Sequence, residues 1–96
     1  MAKGRFEWDH AKDQENQAKH GISFVVAQLA FADPFRVIAE DLSHSTVEKR
    51  YYCFGLVEGG VLTVRFTHRH HVIRFIGAGY WRKGRQVYER EHQVHK

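Results

Sequence analysis

The sequence predicts an α+β domain: two N-terminal helices packed on an antiparallel sheet of about four strands, closed by a C-terminal helix. Three observations predict it. Capping residues bracket two helical stretches before Pro34. Between residues 36 and 77 the pattern changes to short runs rich in β-branched and aromatic residues, separated by turn signals. After Gly79, helix-forming residues return.

Asp9 follows Trp8 and is placed to cap a helix over residues 10–20, with Gly21 as its C-terminal stop. Asp13 comes early in that helix and Lys19 and His20 late, which suits the helix dipole. The helix is polar, so Trp8, Ala11 and Ala18 are expected to supply its packing. Ser23 caps a second helix from Phe24 to Phe31, ended by Asp33-Pro34. This helix is apolar nearly all round, so it is buried on several sides, one of which another chain would cover. Arg36 to Glu40 reads as a short strand and Arg50 to Val57 as a longer one. Gly59-Gly60 gives a hairpin signal. From Val61 to Thr67, Leu62, Val64 and Phe66 alternate with Thr63, Arg65 and Thr67. His68 to His71 hold the next turn, Val72 to Gly77 the next strand, and residues 80–92 a helix. Gly84 inside that helix marks close packing or a break.

The chain has 96 residues and reads as one domain over residues 1–96. No apolar run approaches the roughly 18–20 residues that cross a membrane. Met1-Ala2-Lys3-Gly4-Arg5 lacks the apolar segment of a secretory signal, and Cys53 is the one cysteine, so a cytoplasmic protein with no membrane contact is expected. Cys53 lies in an apolar run and reads as a core residue. The charge is divided. Residues 1–64 carry seven Lys and Arg against nine Asp and Glu; residues 65–96 carry eight against two. The basic half also holds five of the eight His. Such a half calls for an acidic partner. The run from Ile73 to Glu89 interleaves Arg and Lys with Tyr80, Trp81 and Tyr88, a composition suited to phosphates and stacked bases.

These residues also carry a resemblance. Phe6-Glu7-Trp8-Asp9, Lys12, Asn16, Lys19-His20-Gly21-Ile22-Ser23-Phe24 and Ala27 are similar to the opening of the BrnT family of bacterial toxins. Asp33-Pro34, Glu40-Asp41 with His44, Glu48-x-Arg50, Gly55, the Leu62-to-Thr67 strand and Ile73-Arg74-Phe75-Ile76 continue the likeness to about residue 89. The resemblance implies a RelE-like ribonuclease toxin that cuts RNA without metal and suppresses translation. It implies a BrnA-like ribbon-helix-helix antitoxin as partner, with operator DNA reached only through the toxin–antitoxin complex, and a dimer or heterotetramer as the assembly. No cofactor is implied. Two stretches depart from the family. Many members read Ile-Ser-Ala-Arg and then Glu-Arg where this chain has Ile76-Gly77-Ala78-Gly79 and Gly84-Arg85. The departures leave an alternative: a non-catalytic nucleic-acid and antitoxin-binding module on the toxin fold. Val25 and Val26 stand where members often carry Glu, which makes the second helix more apolar.

Metal-free RNA cleavage needs a base for the ribose 2′-hydroxyl, cations for the pentacoordinate phosphate and an acid for the leaving oxygen. His20 is the first candidate for proton transfer, because imidazole titrates near neutrality; capping of its helix is the competing role. Glu48 is the rival base, two residues before Arg50 and on its face if both lie in one strand; an edge ion pair is its competing role. Arg50, Arg65 and Arg74 belong to three adjacent strand patterns, and strand parity decides whether they share a face. Arg50 and Arg74 are assigned to catalysis. Lys19, Arg65, Arg69, Tyr80, Arg82 and Arg85 are assigned to RNA contact, against the competing roles of solvated charge and packing. His68-x-His70-His71 invites a metal, but carboxylates and further Cys are missing nearby, so no metal site is assigned.

Overall fold

The computed structural model describes residues 5–93; the first four and last three residues, and the expectation resting on Met1 to Gly4, lie outside them. The elements are β1 (Phe6–Glu7), α1 (His10–His20), α2 (Phe24–Ala27) continued by a 3₁₀ turn (Gln28–Ala32), β2 (Val37–Glu40), a second 3₁₀ turn (Leu42–His44), β3 (Arg50–Val57), β4 (Gly60–Arg69), β5 (Val72–Gly79) and α3 (Arg82–Gln93). They form an α+β domain around one sheet of order β1-β5-β4-β3-β2.

The sheet corrects the expectation of about four antiparallel strands. Among the described residues it has five, and it is mixed: β1 runs parallel to β5, with Phe6 opposite Ile73 and Glu7 opposite Arg74. A two-residue strand is too short to show a period of two. Phe6 is held there by ring contacts with Phe31 and Phe75, each at 5.4 Å.

The first helix has the expected caps. Asp9 Oδ1 accepts from the amides of Ala11 and Lys12 at 2.8 and 3.2 Å. Gly21 adopts φ 69° and its N–H donates to the Gln17 carbonyl at 2.9 Å. Its packing differs in part from expectation. Trp8 packs as expected, with its ring 5.6 Å from Phe75 and 6.2 Å from Phe24, but Ala11 and Ala18 are exposed, and the helix itself buries Asp13 and Asn16. Asn16 donates to the carbonyls of Ile22 and Ala78, both at 2.9 Å, and accepts from the Ala78 amide at 3.1 Å. Asp13 accepts from the Phe24 amide at 2.8 Å. Beyond Trp8, the polar helix thus docks by satisfying backbone groups of β5 and of the next turn.

The second helix is one turn of α-helix that tightens into 3₁₀, not a continuous helix to Phe31. Ser23 caps it, accepting from the Val26 amide at 3.1 Å. Pro34 sets Asp33 extended, which stops the winding. This segment lies against β3 so closely that a Cβ on Gly55 would be 2.8 Å from the Ala30 Cα, and only glycine fits. Phe24, Ala27 and Ala30 close the core over Cys53, Leu62, Val64, Phe66 and Phe75. Burial pushes the Cys53 thiol up to about 12, so it stays protonated and packs as an apolar group. Val25 and Leu29 remain outside, 59% and 48% exposed.

The opposite face of the sheet is half covered. Helix α3 lies over Phe54 and Thr63, and its close approach is made at Gly84, where a Cβ would collide with Thr63 Oγ1 and meet Phe54 at 3.0 Å. Gly84 therefore marks close packing. Two turns shift by a residue or two from expectation. The β3–β4 hairpin turns on Glu58 and Gly59, with φ 52° and 86°. The β4–β5 turn is confined to His70 and His71, both left-handed at φ 53° and 67°.

Candidate active site on the open face of the sheet

Strand register answers the question that parity left open. Arg50 is opposite Thr67, Tyr52 opposite Arg65, and Thr67 opposite Arg74. Residues that pair across a sheet point to the same side, so Arg50, Arg65 and Arg74 share one face, the one that α3 leaves partly open. A register shift at Arg65/Phe66 places Ile76 in an irregularity and sets Gly77 opposite Arg65 and Gly79 opposite Thr63. The shift turns both glycines to the face that carries Arg65; a Cβ on Gly77 would lie 3.7 Å from Asn16 Oδ1, and one on Gly79 would run into Trp81.

Arg74 is 35% exposed, and its Nη1 donates to Glu7 Oε2 at 3.0 Å. Strand β1, unforeseen in the sequence, thus supplies the carboxylate that steadies Arg74. Glu48 lies outside β3, in the bend before it, yet reaches the same cluster. Arg69 donates to Glu48 Oε2 through Nε at 3.2 Å and Nη2 at 2.6 Å. The Arg69 guanidinium holds the Glu48 carboxyl below the ordinary carboxylate range, with Thr67 and Arg50 adding to the effect. A carboxylate so held is ionised but is a weak proton acceptor.

The other expected residues are spread out. His20 is exposed at the end of α1, with its ring edge-on to Trp81 at 5.2 Å. Lys19 is exposed beside it. Tyr80 donates to the Val57 carbonyl at 3.0 Å, at the Glu58-Gly59 end of the sheet, whereas Arg74 is near the His70-His71 end. Arg82 and Arg85 are exposed on α3. Among the described residues no group of three or more His, Cys, Asp or Glu is arranged to hold a metal ion.

Between α3 and the sheet opens a cavity of about 610 Å³, bordered by Tyr52, Phe54 and Trp81 and by the cations Arg65, Lys83 and Arg90. Trp81 lies where a side chain on Gly79 would go: a Cβ there would be 2.6 Å from its ring. His44 and Glu40 reach the opposite wall. His44 was not assigned a role from sequence. Its Nδ1 is 2.8 Å from Asp41 Oδ2, and Asp41 Oδ1 accepts from Ser43 Oγ at 2.9 Å. Asp41 is 4% exposed, and its amide donates to the Arg50 carbonyl at 2.7 Å. Burial raises the Asp41 carboxyl, but hydrogen bonds from Ser43, His44 and Tyr52 outweigh it and hold the group below the ordinary range. The available signals were the place of Glu40-Asp41 and His44 in the BrnT likeness and the Asp41-x-x-His44 spacing among serines, which folds into a 3₁₀ turn.

A face that carries Arg50, Arg65 and Arg74 beside an aromatic cleft marks this small α+β domain. The family model of BrnT, the ribonuclease toxin of type II toxin–antitoxin systems, matches residues 8–84, and the chain belongs to that family. Membership makes it a ribonuclease toxin by class and gives it an antitoxin partner. No curated protein matches the chain. No helix among the described residues is long and apolar enough to cross a membrane.

Proposed function

We propose that this chain is a metal-independent, RelE-like endoribonuclease that cuts cytoplasmic RNA, thereby suppresses translation, and is silenced by a BrnA-like ribbon-helix-helix antitoxin. The observation that carries the proposal is the register that puts Arg50, Arg65 and Arg74 on one open face. In this reaction the ribose 2′-oxygen attacks the neighbouring phosphorus and the bond to the 5′-oxygen breaks. The products are a 2′,3′-cyclic phosphate and a free 5′-hydroxyl. Fixed cations serve the step because negative charge gathers on the phosphoryl oxygens in the transition state. Arg50 and Arg74 act there, with Arg65 and Arg69 on flanking phosphates. Lys19, Arg82 and Arg85 extend the basic track.

The alternative, a non-catalytic binding module, is favoured by a specific observation. Gly79 and Gly84 are both filled against neighbours, so neither position offers a charged group. Lys83 and Arg90 bring cationic charge to the same cavity from α3, which favours the catalytic proposal.

Purified chain incubated with RNA in EDTA should yield fragments ending in 2′,3′-cyclic phosphate. Arg50→Ala or Arg74→Ala should lower the rate by about 10²–10³-fold, the usual scale for loss of one transition-state donor. Growth arrest on induction, relieved by an antitoxin, should follow the same order. RNA left intact by soluble wild-type protein would overturn catalysis and leave the binding module.

A further inference from the structure

We infer that His44, oriented by Asp41, is the group that takes the 2′-hydroxyl proton from a ribonucleotide seated in the cavity under α3. The inference rests on the ribonuclease proposal and names a catalytic residue for it that neither His20 nor Glu48 supplies. Three independent features converge. The first is orientation. Asp41 is buried and held by Ser43, by Tyr52 and by its own backbone bond to Arg50, so its carboxylate has a fixed direction. It binds Nδ1 of His44 at 2.8 Å, which fixes the tautomer with the proton on Nδ1 and leaves Nε2 as the basic nitrogen. A histidine backed by a buried carboxylate in this way is a prepared proton acceptor.

The second is location. His44 is 54% exposed, and it lines the cavity that also receives Tyr52, Arg65 and Trp81. Arg65 belongs both to this cavity and to the arginine face, so a nucleotide whose flanking 5′-phosphate lies at Arg65 has its sugar and base inside the cavity and leaves its scissile 3′-phosphate to Arg50 and Arg74. At about 610 Å³ the cavity is in the range that takes a small organic ligand, and its Tyr52, Phe54 and Trp81 rings suit a flat base. The third is that the two bases named from the sequence are engaged elsewhere. Glu48 is tied to Arg69 and held acidic, and His20 ends α1 against Trp81.

The step balances. Nε2 of His44 takes the 2′-hydroxyl proton, the 2′-oxygen bonds to phosphorus, the bond to the 5′-oxygen breaks, and the 5′-oxygen takes a proton from water. His44 returns its proton to solvent, and no net proton is consumed. The charged groups around the imidazole are Asp41 and Glu40 on its own side, Lys49 bound to Glu40 at 4.0 Å, Tyr52 and Arg65 from the sheet, and Lys83 and Arg90 from α3.

The test compares wild type with His44→Gln, His44→Gly, Asp41→Asn and Arg74→Ala on a single-phosphodiester RNA substrate. Binding is measured separately with the 2′-deoxy analogue. His44→Gln should lose about 10²–10⁴-fold in cleavage, keep its affinity for the analogue and lose the acid limb of the pH–rate profile. Added imidazole should restore part of the activity of His44→Gly. Asp41→Asn should lose about ten- to a hundred-fold, the usual scale for an orienting partner, with a displaced acid limb. Wild-type rate and pH profile in His44→Gln, alongside loss in Arg74→Ala, would overturn the role of His44 and spare the nuclease proposal. No cleavage by wild type would overturn both.

Discussion

Asp33 shows what a single side chain does here. Its Oδ1 accepts from the Phe35 amide at 2.8 Å, and its Oδ2 accepts from the Leu56 amide and the Tyr88 hydroxyl, both at 2.7 Å. One carboxylate therefore joins the end of the 3₁₀ turn, β3 and α3. Burial raises its pKa, but the amides of Leu56 and Phe35, the Tyr88 hydroxyl and the charge of His92 outweigh this and lower it. A folded-state value below the unfolded one stabilises the fold above the unfolded value and ceases to do so as pH falls through the folded value. Asp33→Asn should cost about 2–3 kcal/mol in urea unfolding at neutral pH, the scale for charged hydrogen bonds. The gap from wild type should hold down to about pH 5 and shrink below about pH 4, where an unfolded aspartate titrates. A gap that stays constant to pH 3 would show that the charge of Asp33 is not what matters. Asp33-Pro34 was legible in the sequence as a helix stop, but Tyr88, 55 residues away, was not legible as its partner.

At the scale of elements, α3 and β1 decide the site. Helix α3 reaches the sheet only because residue 84 lacks a side chain. Alanine normally favours a helix over glycine by about 1 kcal/mol, yet here its methyl collides with Thr63 Oγ1 and presses on Phe54. Gly84→Ala should therefore destabilise the protein by about 1–3 kcal/mol, read as a lower melting temperature, despite its better helix propensity. An unchanged or raised melting temperature would mean that α3 can shift outward without cost. Thr63 Oγ1, the atom that such a methyl would meet, is buried with no hydrogen-bond partner among the described residues. The helix itself was legible in the sequence within two residues. Strand β1 was not, because a strand of two residues is specified by its neighbours and not by its own pattern. Its Glu7 nonetheless steadies Arg74.

At the scale of the molecule, the charge division becomes spatial. The basic half of the chain supplies β4 from Arg65 onward, β5 and α3, so Arg65, Arg69, Arg74, Lys83 and Arg90 arrive on the side of the sheet that α3 borders. Arg50 joins them from the acidic half by pairing alone. Three arginines on single-stranded RNA should give log Kobs a slope of about −2 against log salt, from roughly 0.7 per neutralised phosphate. Arg50→Ala or Arg74→Ala should each make that slope shallower by about 0.7, measured with an uncleavable RNA between 50 and 200 mM salt. A slope unaffected by both substitutions would place the phosphates elsewhere on the surface.

The sequence by itself determined what is local: the caps at Asp9, Gly21 and Ser23, the stop at Asp33-Pro34, the long strands and the alternation of Leu62, Val64 and Phe66 toward the core. These features follow from backbone preference and burial period within a few residues. Its motifs also pointed to the BrnT family. Only the tertiary structure decided that Arg50, Arg65 and Arg74 share a face, since that depends on register across three strands and on the shift that turns Gly77 and Gly79 over. It also placed Glu48 against Arg69, gave Arg74 its Glu7, packed α1 through Asp13 and Asn16, and carried the locally formed Asp41–His44 pair to the wall of a cavity under α3. Each of these is a meeting between segments, and the chemistry of a site depends on distances that no residue's own neighbourhood in the chain contains.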